Sequence, residues 1–272
     1  MTMPDKQQTA MALEDLLELM ARLRGPDGCP WDKAQSFESI VPHTLEEAYE
    51  VAETIEQQQW QALPGELGDL LFQVVFYCQL GAEQGQFDFA SVATQLVTKL
   101  KQRHPHIYGD SRLTTPDSRN AEQALSQWEA LKTQEREKRQ QYSLMDDIPL
   151  ALPALTRANK IQKRAASVGF DWQILAPVVA KVHEEIEEVM AEVEQTEVDY
   201  QRVLDEMGDL LFATVNLARH LKVNPEQALR HANRKFSERF RSVETQVAQS
   251  QRGFDEHSLD ELEAYWVRAK QE

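Results

Sequence analysis

The sequence predicts an all-α fold, and three observations carry that expectation. Apolar residues recur at helical spacing, as in Leu13, Leu16, Leu17, Met20 and Leu23. Strand-like alternation is hard to find anywhere along the 272 residues. Turn formers gather between the periodic runs, as do the Gly, Pro, Asp and Ser of the loop expected over 104–120.

In chain order, the periodicity places helices at 9–24, 44–58, 61–84, 88–103, 120–140, 153–167, 175–196, 199–221, 225–250 and 258–270. On the second, Leu45, Ala48, Val51, Ala52 and Ile55 form an apolar stripe with the glutamates off it, so an acidic solvated face is expected there. The third carries Leu70, Phe72, Phe76 and Tyr77 beside its acidic residues and Leu71 and Val75 opposite, the pattern of a buried helix. Asn224 followed by Pro225 opens a later helix as cap and first-turn proline.

The chain repeats itself. Glu66-Leu67-Gly68-Asp69-Leu70-Leu71-Phe72 recurs as Glu206-Met207-Gly208-Asp209-Leu210-Leu211-Phe212, six of seven identical, at an offset of 140. Glu46-Glu47-Ala48-Tyr49-Glu50-Val51 recurs as Glu184-Glu185-Ile186-Glu187-Glu188-Val189 at an offset of 138. Trp31-Asp32 matches Phe170-Asp171, Lys99 and Arg103 match Lys235 and Arg239, and Trp128 and Lys132 match Trp266 and Lys270. These landmarks keep one order at nearly one offset, which makes the chain a tandem duplication. The expected parts are an N-terminal copy at 1–142, a linker at 143–152 around Asp146-Asp147-Ile148-Pro149, and a C-terminal copy at 153–272.

Composition narrows the function. With 29 Lys+Arg against 45 Asp+Glu, the net charge of −16 leaves no broad basic face for a nucleic acid polymer or an anionic membrane. Two cysteines, Cys29 and Cys78, supply neither a disulfide framework nor a zinc site. The most apolar stretch, Leu70 to Ala82, is too short to span a bilayer, and the start carries no signal pattern, so a cytoplasmic setting is expected.

Each copy holds Glu-Glu-x-x-Glu on one helix and Glu-x-x-Asp on the next. Residues three or four apart share a helix face, so Glu47 neighbours Glu50, Glu66 neighbours Asp69, Glu185 neighbours Glu188, and Glu206 neighbours Asp209. Four converging carboxylates repel one another unless a cation sits among them. Hard oxygen ligands suit Mg²⁺, with Mn²⁺ able to substitute, and Mg²⁺ usually meets a phosphate substrate. Gly68 and Gly208, each costing about 1 kcal/mol inside a helix, point to a close approach beside the Asp. A di-iron carboxylate site would want Glu-x-x-His on two helices, and none of the seven histidines lies three residues after a Glu.

The two copies differ around these acids. The second has Lys181 one turn before Glu185, Arg202 one turn before Glu206, and Lys235 with Arg239 further on; the first has His43 in place of Lys181 and Gln61 or Ala62 near the place of Arg202. Phosphoryl chemistry needs cations around the attacked and departing oxygens, so the C-terminal copy is the better equipped. Trp266 fits two readings, a stacking surface for a base or ribose and a core aromatic.

With these residues in view, the chain resembles the MazG family of nucleoside triphosphate pyrophosphohydrolases, in its two-domain bacterial form. The duplicated acidic set carries the resemblance, with Cys29-Pro30-Trp31-Asp32, Arg103-His104-Pro105-His106, Val168-Gly169-Phe170-Asp171-Trp172 and Lys235-Phe236-x-x-Arg239-Phe240 around it. It implies helical bundles completed across a homodimer, and Mg²⁺-dependent hydrolysis of an NTP to NMP and diphosphate at the C-terminal copy. It also implies Glu185, Glu188, Glu206 and Asp209 as metal ligands and Lys181, Glu184, Arg202, Lys235, Arg239 and Trp266 as nucleotide contacts, with Glu184 orienting the attacking water. Glu47, Glu50, Glu66 and Asp69 match the metal motif without its basic partners. Two other classes compete, a non-catalytic helical nucleotide-binding or regulatory partner protein and a di-metal oxidoreductase.

Overall fold

A computed structural model of the chain describes residues 5–108 and 143–271. The chain divides into two units, Met1–Lys132 and Thr133–Glu272, and no strand occurs among the described residues.

The first unit contains α1 (Lys6–Arg24), α2 (Pro30–Ala34), α3 (Phe37–Glu56), α4 (Leu63–Glu83), α5 (Phe89–Arg103) and α6 (Pro105–Tyr108). Asp5 caps α1 by accepting from the amides of Gln7 and Gln8. Three of these differ from expectation. α3 begins seven residues earlier than the periodicity suggests, because Ser36 and Ser39 form a capping box and the helix runs through Pro42 at the loss of one backbone bond. The five-residue α2 and four-residue α6 are too short to show a period, and α6 lies in the expected loop. The helix expected at 120–140 falls outside the described residues.

The second unit contains α7 (Ala154–Ala166), α8 (Leu175–Val193), α9 (Tyr200–His220), α10 (Pro225–Gln249), a 3₁₀ turn (Phe254–Glu256) and α11 (Leu259–Ala269). Asn224 caps α10 through the amide of Gln227, with Pro225 in the first turn. Residues 143–153 carry no helix; Arg164 reaches back from α7 to the carbonyl of Leu144 at 3.3 Å.

Each unit packs one face of a helix pair onto a core. In the first, Met20, Ile40, Val75, Phe76 and Leu80 are buried together. In the second, Val243, Val247 and Ala269 join α10 to α11, with Tyr265 and Trp266 against them.

The orientation of the acidic helices reverses one expectation. Along α3 the inward positions are Ile40, Thr44, Glu47, Val51 and Thr54, whereas Leu45, Tyr49 and Ile55 are exposed. The same register in α8 turns Val178, Val182, Glu185, Val189 and Glu192 inward and leaves Ile186, Met190 and Val193 outside. The apolar stripe therefore faces away from this chain's own core, and the stripe bearing the glutamates faces toward it. α4 is likewise not enclosed: Gln73, Val75, Phe76 and Leu80 are buried, but Leu67, Leu71 and Val74 are open. On α9, Leu204, Met207 and Leu211 are open in the same way. A single copy covers only one side of each pair, and contiguous exposed apolar surface of this kind marks an interaction face.

Candidate metal and nucleotide site

Short connections bring α3 against α4 and α8 against α9, so the two acidic motifs of each copy meet. In the second unit Glu185, Glu188 and Glu206 each bring an oxygen within 4.8 Å of the others; in the first unit Glu47, Glu66 and Asp69 do so. The fourth acid of each set stands outside the tight triad. Asp209 lines the same cavity as Glu185, and Glu50 hydrogen-bonds and repels the Glu47 carboxyl.

Burial makes this more than an acidic surface. Glu185 is only 4% exposed. Lys181 Nζ lies 2.7 Å from its Oε1 and 2.8 Å from Glu184 Oε1, and the two carboxylates raise the Lys181 pKa above its usual range. The other oxygen of Glu185, Oε2, is buried with no hydrogen-bond partner, an arrangement that costs on the order of 1–3 kcal/mol or more for a charged group. Desolvation raises the pKa of Glu188, as do a hydrogen bond with Glu185 and the charges of Glu185 and Glu206, against the pull of Lys181. Glu47 is raised by desolvation first and then by Glu50, Asp69 and Glu46. An orphaned buried carboxylate oxygen facing two further carboxylates fits a divalent cation held by oxygen ligands.

The basic residues are distributed unevenly. Arg202 Nη2 is 2.5 Å from Oε1 of Glu192, which is buried one turn beyond Glu188. Lys235 and Arg239 lie on α10 and Trp266 on α11. There Trp266 packs on Phe236 with ring centroids 4.9 Å apart, and Lys270 Nζ lies 5.9 Å from the indole. Trp266 is thus a half-buried member of an aromatic cluster in this chain. In the first unit, His43 Nδ1 stands 3.7 Å from Glu46 in the place of Lys181, and Lys99 is exposed. Trp128 and Lys132 lie outside the described residues. At Gly68 and Gly208 a β-carbon would meet nothing within 4 Å among the described residues, so none of these makes the close approach expected there.

Beside Lys181, Glu185 and Asp209 opens a cavity of about 830 Å³ between α7, α8 and α9, walled by Phe170, Trp172 and Phe212. That is the size of a small-molecule site. Its polar end is an ordered network: Arg219 Nη2 donates to Asp171 Oδ1 at 2.6 Å, Arg219 Nε and Nη2 donate to Asn216 Oδ1 at 3.0 and 2.6 Å, and His220 Nε2 is 3.0 Å from the same Asp171 oxygen. The Arg219 guanidinium brings the Asp171 pKa down to about 2, with help from His220. In the sequence alone Asp171 is a repeat landmark and part of one motif, without a role, and Gln162, Asn216 and Arg219 go unnoticed. One signal was available. At the 140 offset, Asn216, Arg219 and His220 stand against Phe76, Gln79 and Leu80, so that Asn216 and His220 replace two apolar residues on an inward face. Phe76, 1% exposed, fills that part of the first unit with core.

Comparison with known proteins agrees with the duplication. The family model of the MazG nucleotide pyrophosphohydrolase domain matches residues 35–108 and again 175–243, once in each unit. The chain is 51% identical over 261 residues to the nucleoside triphosphate pyrophosphohydrolase of Escherichia coli (strain K12), covering 96% of this chain and 97% of that one. It is 39% identical over 264 residues to the nucleoside triphosphate pyrophosphohydrolase/pyrophosphatase MazG of Thermotoga maritima, with 97% and 98% covered. It is also 37% identical over 253 residues to the uncharacterized protein YabN of Bacillus subtilis, of which it spans 50%.

Proposed function

The chain belongs to the MazG nucleotide pyrophosphohydrolase family, and we propose that it hydrolyses nucleoside triphosphates to NMP and diphosphate at the C-terminal copy. The observation that carries the choice of copy is Glu185, buried against Lys181 with one oxygen unpartnered and lining a cavity, where the N-terminal copy has the buried core residue Phe76 at the position of Asn216.

Glu185, Glu188, Glu206 and Asp209 would hold the divalent cation, Mg²⁺ with Mn²⁺ able to substitute. Bound there, the ion would neutralise phosphate charge and lower the pKa of a water. Lys181 brings a positive charge to the same edge of the cavity, where it stabilises negative charge on the polyphosphate. Glu184, tied to Lys181, would orient the attacking water. Arg202, anchored by Glu192, together with Lys235, Arg239 and Trp266, supplies the remaining contacts to the nucleotide. No covalent nucleophile is needed.

The functional form is a homodimer. The outward apolar rows of α8 and α9 lie beside the carboxylates, and a second copy would cover them and bring further basic residues to the phosphates. The substrate is a free nucleotide rather than a polymer, in keeping with the net charge of −16. No described helix is long and apolar enough to cross a membrane, and the proposed setting is the cytoplasm. The N-terminal copy, with His43 for Lys181, serves as a structural or regulatory duplicate.

Purified protein given Mg²⁺ and a panel of NTPs and dNTPs should release NMP and diphosphate. Release of NDP and orthophosphate instead would overturn the assignment of cleavage between the α and β phosphates.

A further inference from the structure

Resting on the reading of the C-terminal copy as the pyrophosphohydrolase site, we infer that the cavity between α7, α8 and α9 holds the nucleobase, and that Asn216 and Gln162 select a keto base. The bases meant are uracil, thymine and guanine.

One cavity is lined both by Lys181, Glu185 and Asp209, beside which the phosphates belong, and by Asp171, Asn216 and Arg219. Trp172 and the largely exposed Phe170 line it and offer flat faces for a base. The polar end has a fixed sense. A guanidinium only donates hydrogen bonds, so the two bonds from Arg219 turn the oxygen of Asn216 toward it and leave the Asn216 NH₂ free. Arg219 Nη1 also has no partner among the described residues, and Asp171 Oδ1 is occupied by Arg219 and His220. Two unspent donors therefore stand one turn apart on α9.

Gln162 supplies the complement. It lies on α7, is 7% exposed and lines the same cavity. Its Nε2 donates to the carbonyl of Phe212 at 2.8 Å, which sets the amide orientation, and its Oε1 has no partner. Beside the Asp171 carboxylate, which is engaged by Arg219, His220 and the Trp172 amide, the site thus offers two donors and one neutral acceptor. A carbonyl oxygen has two lone pairs and can take both donors, while the adjacent ring N–H of a keto base can give to the acceptor. The amino groups of cytosine and adenine have no lone pair to offer there. The N-terminal copy has Phe76 at the position of Asn216 and Gln79 at that of Arg219, which removes the reading group and the space together.

The test is kcat/KM for diphosphate release from UTP, GTP, CTP and ATP by the full-length protein with Mg²⁺. UTP and GTP should exceed CTP and ATP by about tenfold, the worth of one good base-edge hydrogen bond. Asn216→Ala should bring the four within about threefold of one another, mainly through KM. Asn216→Asp keeps an acceptor for Arg219 and replaces the free donor with an acceptor, so it should shift preference toward CTP and ATP; it also decides the matter if Asn216→Ala does not fold. Equal kcat/KM for all four in the unsubstituted protein, or a keto preference that survives both substitutions, would overturn the inference. Release of diphosphate from none of the four would instead defeat the pyrophosphohydrolase reading; the pocket is then judged by calorimetry, where UMP should bind more tightly than CMP and equal affinity would refute it.

Discussion

The two copies keep the same four acidic positions yet surround them differently. At the inward end of α8, Glu192 is buried and holds Arg202, where α3 has Thr54 and the start of α4 has Ala62. Lys181 bridges two glutamates where His43 stands at the edge of one. Deeper in, the Asp171–Arg219–Asn216 network borders a cavity, whereas Phe76 packs with Met20 and Ile40. A metal motif is thus separable from a substrate site. Carboxylates at helical spacing survive in both copies; beside those of the C-terminal copy stand a cavity and a lysine, and at the matching places of the N-terminal copy stand Phe76 and His43.

Withdrawing the metal should have the largest effect on this comparison. Chelation with EDTA should remove diphosphate release by at least about a thousandfold, since water activation and charge neutralisation are lost together, and added Mg²⁺ should restore it. Activity that persists in EDTA would mean that the carboxylates act without a cation.

Making the C-terminal copy resemble the N-terminal one comes next. Lys181→His should lower kcat/KM about 10- to 100-fold, the scale of one lost charge contact to the transition state. The converse change, His43→Lys, should add no activity, because Phe76 still occupies the space.

Much of this was legible in the sequence, for reasons of scale. Helices of about twenty residues show several turns of periodicity, so α4, α8, α9 and α10 were readable to within a few residues. The acidic motifs are local, and the internal repeat doubled their signal. What stayed hidden depended on distance or on a missing partner. Asp171 and Arg219 meet across 48 residues, with no local spacing to announce them. The inward turn of Glu47 departs from the solvated face expected on its helix because an apolar stripe ordinarily marks the core side; here Leu45 and Ile55, like Ile186 and Met190 in the second copy, point outward.

Smaller effects sharpen the same contrast. Asp171→Asn should lower the melting temperature by several degrees, because an ion pair strong enough to hold a carboxyl near pH 2 is worth on the order of 2 kcal/mol. The folded pKa is depressed, so this stabilisation is present above about pH 4 and is lost as pH falls toward 2. Thermal melts across that range should converge for the two proteins at the acid end. Gly208→Ala is the mildest test. With no atom of the described residues within 4 Å of its β-carbon, it should stabilise the isolated fold by up to about 1 kcal/mol, while weakening dimerisation in sedimentation experiments if a second copy packs closely there. Unchanged association would place the dimer contact elsewhere.

The central claim is that one copy works and the other does not. The direct measurement is Mg²⁺-dependent diphosphate release by Glu206→Gln and Glu66→Gln, two equivalent substitutions in one chain. Glu206→Gln should abolish turnover, and Glu66→Gln should retain most of it. Loss of activity in Glu66→Gln with activity retained in Glu206→Gln would contradict the account.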